Sequence, residues 1–162
     1  MDAIPGQIIL QVVLILLNAF FAMTEIAIIS LSAVKLRRLM EEGDKTAGKL
    51  LKLVEEPAGF LSTIQIGITL AGFLGSAFAA DSFSAGLVNW IYNDLGFHLF
   101  SEKTLGTLSV ILITIILSYF TLVLGELVPK RIAMKKTEGV ARATVGAVWA
   151  VATVFRPVIW LL

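Results

Sequence analysis

Two carboxylic acids stand inside apolar runs long enough to cross a lipid bilayer. Glu25 lies within LILLNAFFAMTEIAIISL; Glu126 closes LGTLSVILITIILSYFTLVLGE and opens GELVPK. A carboxylate in hydrocarbon costs about 3 kcal/mol or more, so it is paired, protonated or turned towards a polar cavity. Two of them in 162 residues suggest a path for cations. The alternative is a pair of structural carboxylates near the headgroups, since each lies in the half of its run nearer to charged flanks.

Neutral oxygens accompany the acids. Ser62, Gln65, Thr69, Gly72 and Ser76 follow spacings of three and four, which puts them on one face of a helix. Thr114, Ser118, Thr121 and Gly125 repeat the pattern, one step before Glu126, and Asn18, Ala22 and Glu25 form a shorter stripe. Small and hydroxyl residues at this spacing also serve as packing faces between membrane helices. Together with two carboxylates and an amide, they supply the oxygens that hard cations prefer.

The string Gly125-Glu126-Leu127-Val128-Pro129 has its own physics. Proline lacks an N–H and its ring clashes with the carbonyl four residues back, so Pro129 is expected to kink or unwind the helix at Gly125. Carbonyls released at membrane depth are tolerated where they line a cavity, and transporters bind ions with them. A plain kink that ends the helix before Lys130 is the simpler alternative.

The elements that must position these groups follow from hydropathy and charge. The chain is 57% hydrophobic and 15% charged, with mean hydropathy +0.90, which excludes an ordinary soluble domain. Spans of about 20 residues fit at roughly 7–31, 58–80 and 105–128, and backbone satisfaction in lipid makes them helices. Lys35, Arg37, Arg38, Lys45, Lys49 and Lys52 follow the first span; Lys130, Arg131, Lys135, Lys136 and Arg142 follow the third; Lys103 alone lies between the second and third. The positive-inside rule therefore predicts a cytoplasmic 32–57 and 129–142 and an outside N-terminus, with Trp90 and Tyr92 in an outer aromatic belt.

Within 33–56, Leu36, Leu39 and Met40 make one apolar face and Ala47, Leu50, Leu51 and Val54 another, separated by Gly43-Asp44. This predicts two short amphipathic juxtamembrane helices on the inner leaflet; the alternative is an ordinary solvated hairpin, since short amphipathic helices also pack onto protein. Segment 140–162 is apolar but carries Arg142, Arg156 and Pro157, so it reads either as a fourth span or as a belt-like or re-entrant segment interrupted at Pro157.

Several functions are excluded or lack support. The chain has no cysteine, hence no disulfide, thiolate site or Cys nucleophile. The single histidine, His98, falls outside the spans and reads as solvated rather than as a metal ligand. No nucleotide-binding motif or RNA-binding signature is present, so neither an enzyme of that kind nor a nucleic-acid partner is expected. Asp2, with no basic residue before Lys35, argues against a cleavable signal. The end on PVIWLL, without a polar tail, predicts a soluble domain beyond it in a longer protein.

Three motifs in order, FFAMTEIAIISL with KLRRL after it, FLSTIQIGITLAG, and GELVPKRIA, resemble the CNNM/CorC family of magnesium transporters, including its bacterial haemolysin-like branch. The resemblance covers almost the whole chain as that family's transmembrane domain. It implies an all-α membrane protein of three spans with cytoplasmic juxtamembrane helices and a belt-like 140–162. It also implies a homodimer and regulatory cytosolic CBS domains in the full-length chain. By motif, Gly125, Glu126 and Pro129 match the family's ion-site segment, and Glu25 matches an acidic position of bacterial members. Ala22, Ile68 and Gly72 depart from it: many magnesium-transporting relatives carry Ser at the first, Asn at the second and often Asn at the third. Gln65 and Thr69 are the nearby substitutes. Some similar bacterial proteins are linked to polyamine export.

The resulting expectation is a non-enzymatic secondary transporter of the plasma membrane that exports divalent cations, Mg2+ first, with Na+ as a coupling ion by analogy. Its candidate metal site is Glu126, the Gly125 carbonyl, Gln65, Thr69 and Glu25. Lipids and a second copy are the expected partners. Polyamine export is the alternative cargo and asks for carboxylates spaced apart rather than converging. A membrane sensor or scaffold without transport asks for carboxylates held by Arg or Lys.

Overall fold

The structure, a computed structural model, describes residues 3–94, 96 and 101–160. His98 lies outside them. Every regular element among the described residues is helical: α1 (Ala3–Ile29), α2 (Ala33–Glu41), α3 (Lys45–Glu55), α4 (Pro57–Asn89), α5 (Glu102–Leu122), α6 (Val128–Lys135) and α7 (Thr137–Trp160). Two π-helical turns, Trp90–Asp94 and Val123–Leu127, extend α4 and join α5 to α6.

Local chemistry accounts for the breaks. Ser32 caps α2 by accepting from Lys35 N–H, and Ser101 caps α5 by accepting from Thr104 N–H. Gly43 takes a positive φ of 97°, open to glycine, and the next residue, Asp44, accepts from the N–H groups of Thr46 and Ala47 to start α3. Pro57 opens α4, where its missing N–H costs nothing.

Four helical runs are long and apolar enough to cross a membrane: Pro5–Ile29, Pro57–Asp94, Glu102–Lys135 and Thr137–Phe155. The second and third outrun the expected spans. Hydropathy marks where lipid ends, not where the helix does, so α4 continues past Asp81. At 1.5 Å per residue it is about 50 Å long, and must tilt or project beyond a hydrocarbon core of about 30 Å. Pro157 does not interrupt α7, which is helical to Trp160. One missing backbone bond in the last turn leaves the rest of the ladder intact.

α1 is the central element, packed against α4, α6, α7 and the second π-turn, while α5 packs on α4. The apolar core gathers where α1 ends and α4 begins: Ala27, Ile28, Phe60 and Ile64 meet Ala133, Ala141, Val145 and Val148. Leu36, Ala47, Leu50, Leu51 and Leu53 of α2 and α3 join it. The faces expected to lie on the leaflet are thus largely spent on protein, leaving Val34 and Met40 exposed. An ion chain holds this hairpin on α7: Lys35 pairs with Glu138, Glu138 with Arg142, and Arg142 with Asp44 at 2.7 Å.

Ile111, Leu112, Ile115, Ile116, Tyr119 and Phe120 of α5 remain exposed. On a water-soluble protein such a patch would be a liability; in lipid it is the ordinary outer face.

Candidate cation site

The string around Pro129 does not unwind. The helix widens instead into the π-turn Val123–Leu127, with Val128 N–H bonded to the Val123 carbonyl, and then runs on through α6. One extra residue in the turn moves the Gly125 carbonyl away from the proline ring while the helix persists. Of the expected kink or unwinding at Gly125, the unwinding is replaced by a local widening, and the helix does not end before Lys130.

The freed carbonyl finds a partner across the bundle. Asn18 Nδ2 of α1 donates to Gly125 O at 3.3 Å. Glycine permits that approach: a Cβ at position 125 would lie 3.1 Å from Asn18 Nδ2 and 3.4 Å from the Ile15 carbonyl. The other end of the same amide, Asn18 Oδ1, is buried and has no hydrogen-bond partner, in a residue only 4% exposed. Such an oxygen calls for a donor or a cation.

Asn18 is among the residues that line a cavity of about 330 Å³ between α1, α4 and α5. Gln11, Asn18, Thr69, Gly72, Ser76, Ser118, Thr121 and Glu126 supply its polar and small lining, and Ile68, Phe73, Leu117 and Leu122 its apolar part. The three stripes therefore converge here in part. Ser62, Gln65 and Thr114 are not among the lining residues. Gln65 is exposed. The buried hydroxyls of Thr24 and Thr63 are turned back to the carbonyls of Phe20 and Gly59, and act within their own helices.

The two acids meet on one lysine. Lys130 Nζ lies 2.8 Å from Glu126 Oε1 and 3.3 Å from Glu25 Oε2. Glu126 borders the cavity, whereas Glu25 reaches the same ammonium without lining it. Among the described residues no three of His, Cys, Asp and Glu cluster as metal ligands, so a cation here would rest on one or two carboxylates and neutral oxygens. Of the expected site, Thr69, Gly125 and Glu126 are gathered around Asn18, Glu25 joins through Lys130, and Gln65 stands apart.

Two participants escaped the sequence reading. Gln11 is two helical turns before Asn18, so extending the α1 stripe by seven residues would have found it. Lys130 stands four residues after Glu126, a helical pairing distance, but its bond to Glu25 crosses between helices and has no local signal.

Comparison with known proteins agrees with this architecture. A UPF0053 protein of Synechocystis sp. is 38% identical over 150 residues, covering 93% of this chain and 33% of its own length. The polyamine export protein of Haemophilus influenzae is 32% identical over 149 residues, 92% of this chain and 33% of that protein. The polyamine export protein of Salmonella typhimurium is 31% identical over 148 residues, 91% and 32% respectively. The chain spans about a third of the length of these curated relatives. Residues 9–162 match the family described as the Cyclin M transmembrane N-terminal domain. With four helical runs of spanning length and that match over nearly all its residues, the chain is a multi-pass membrane domain and belongs to the CNNM family.

Proposed function

We propose that this domain is the membrane part of a secondary transporter that exports divalent cations, with Mg2+ as the first cargo. The carrying observation is the buried, unpartnered Asn18 Oδ1, in a residue that lines the same polar cavity as Glu126. Neutral and charged oxygens around one small volume suit a hard cation. Convergence of Glu25 and Glu126 on a single nitrogen supports a compact charge rather than an extended one. The orientation proposed is N-terminus outside, in the plasma membrane, as a homodimer, with Na+ as a coupling ion.

The spacing of the two acids counts against a polyamine spanning both, but a second reading, export of a polyamine held by one terminal ammonium, draws on the nature of the group they hold. The cradle that Glu25 and Glu126 form already holds an alkylammonium, that of Lys130. A terminal ammonium of a polyamine could take the same seat, its chain lying along the cavity. Two relatives bear the name polyamine export protein. Ile68 and Gly72, where resembling magnesium transporters carry Asn, border the cavity without offering it a side-chain oxygen. A non-transporting scaffold would also pair its carboxylates with lysine, but it leaves the Asn18 oxygen unexplained.

The test is thermal stabilisation of the purified protein by Mg2+, Na+ and spermidine, followed by flux from proteoliposomes. Saturable stabilisation and flux with Mg2+ support the first reading, and the same with spermidine alone the second. No stabilisation and no flux with any cation would leave the scaffold.

A further inference from the structure

Lys130 sits where the cargo's charge is needed. Its Nζ bridges an acid of α1 and an acid of the π-turn, at 3.3 and 2.8 Å. One ammonium among two carboxylates leaves the trio with a formal excess of one negative charge. The side chains are neither sealed nor free: Lys130 is 28%, Glu25 24% and Glu126 33% exposed. Glu126 thus has one side on the lysine and another on the cavity. Asn18 lines the same cavity, and its Oδ1 is buried without a hydrogen-bond partner.

We propose that Lys130 is a tethered counter-cation: its ammonium neutralises Glu126 when the cavity is empty and is displaced from Glu126 when cargo binds. The proposal rests on the cation-export reading and deepens it. Lysine suits the task because its charge is compact and its four-carbon stem rotates freely, so Nζ can withdraw to Glu25 or to water. The displaced ammonium remains near the membrane surface through Glu25, which explains why two acids serve one base.

Two consequences follow from the competition. Cargo meets an acid that is already occupied, so its apparent affinity is lowered by the fraction of time that the seat is free. In return, the empty transporter does not expose two bare carboxylates in a low-dielectric region, which would slow its return. Lys130 thereby allows net export, where the same cavity without it would exchange one cargo cation for another.

The experiment compares the parent protein with Lys130→Met, reconstituted and titrated with Mg2+ and, separately, with spermidine. For whichever cation stabilises the parent, the variant is expected to bind at least about tenfold more tightly, equivalent to about 1.4 kcal/mol. Net efflux from liposomes should fall, while exchange against the same cation outside persists. Lys130→Cys serves if the methionine variant does not fold. The chain has no other cysteine, so aminoethylation rebuilds an ammonium at this position alone and should return affinity to the parent's value. A fixed structural ion pair predicts the reverse: neutral variants bind equally or more weakly, and exchange is lost together with efflux. That result, with a parent that binds, overturns the proposal and leaves cation export standing. A parent that neither Mg2+ nor spermidine stabilises overturns both.

Discussion

Asn18 Nδ2 bonds to the Gly125 carbonyl, and the residue four places after Gly125, whose N–H would normally serve that carbonyl, is Pro129. A proline in one helix is thus answered by an amide in another. The amide's oxygen is left over, in a residue that lines the cavity. Stability and the candidate site share one side chain.

Asn18→Leu tests that sharing. The variant keeps the volume but leaves Gly125 O without its cross-helix donor. A buried acceptor left unpaired costs about 1–3 kcal/mol. Thermal unfolding in detergent should shift down accordingly, and stabilisation by the cargo cation should disappear. Unchanged unfolding would mean that Gly125 O is served by another donor.

Gly125→Ala acts on the same contact from the other side. The added methyl would stand 3.1 Å from Asn18 Nδ2 and 3.3 Å from Asn18 Cβ, so the amide must shift away from the Gly125 carbonyl. Overpacking of this kind costs about 1–3 kcal/mol. The expected result is a lower unfolding temperature with weakened cation binding, measured on one sample by thermal shift with and without cation.

Glu126→Gln removes a charged oxygen from the cavity wall. Cation affinity should fall at least about tenfold, or roughly 1.4 kcal/mol. On sequence grounds alone, neutralising an intramembrane acid leaves folding nearly unchanged. The pair with Lys130 alters that expectation, because among the described residues the variant leaves the lysine Glu25 alone as a carboxylate partner. A small loss of stability is therefore expected beside the loss of binding. A variant that binds and transports like the parent would show Glu126 to be structural.

Ile68→Asn tests the cavity by addition. Ile68 lines it next to Thr69, so an amide oxygen here enlarges the ligand set without touching the Asn18–Gly125 contact. If Mg2+ is the cargo, its affinity should rise severalfold; if the cradle is shaped for an ammonium, spermidine binding should change more than Mg2+ binding.

The hairpin of α2 and α3 carries a pH dependence of its own. The Asp44 carboxyl is held below the ordinary aspartate range, first by the Ala47 backbone N–H and then by Arg142. A group whose folded pKa is depressed contributes stability above its unfolded value, near ~3.9, and loses it as pH falls through the folded value. Protection against hydrogen exchange in the first turn of α3, taken relative to the intrinsic rate at each pH, should therefore fall below about pH 4. Asp44→Asn should remove that step. Protection that stays flat through the acid range in the parent would show that this cap does not hold the hairpin.

Hydropathy and basic residues made the helical class, the approximate spans and the break at Gly43-Asp44 legible, because each depends on composition or on neighbours within a turn or two. The irregular helix around Gly125, Glu126 and Pro129 was legible for the same reason: the three are consecutive or nearly so. The polar stripes showed which faces could meet, since three-and-four spacing is local geometry. They could not show how far each stripe reaches into the cavity, so Gln65 was expected there and Gln11 was not.

Tertiary structure decided the rest. Pro129 can be accommodated by an end, a kink or a π-turn, and the choice falls to the π-turn where Asn18 of another helix stands ready for the Gly125 carbonyl. The apolar faces of α2 and α3 could meet lipid or protein, and the positions of α1, α4 and α7 determine that they meet protein. Glu25 and Lys130 are more than a hundred residues apart, so their bond exists only once α1 and α6 are packed together. Charge in a sequence is a list of signs; which signs neutralise one another is a matter of distance, and distance across a bundle is not written in the chain.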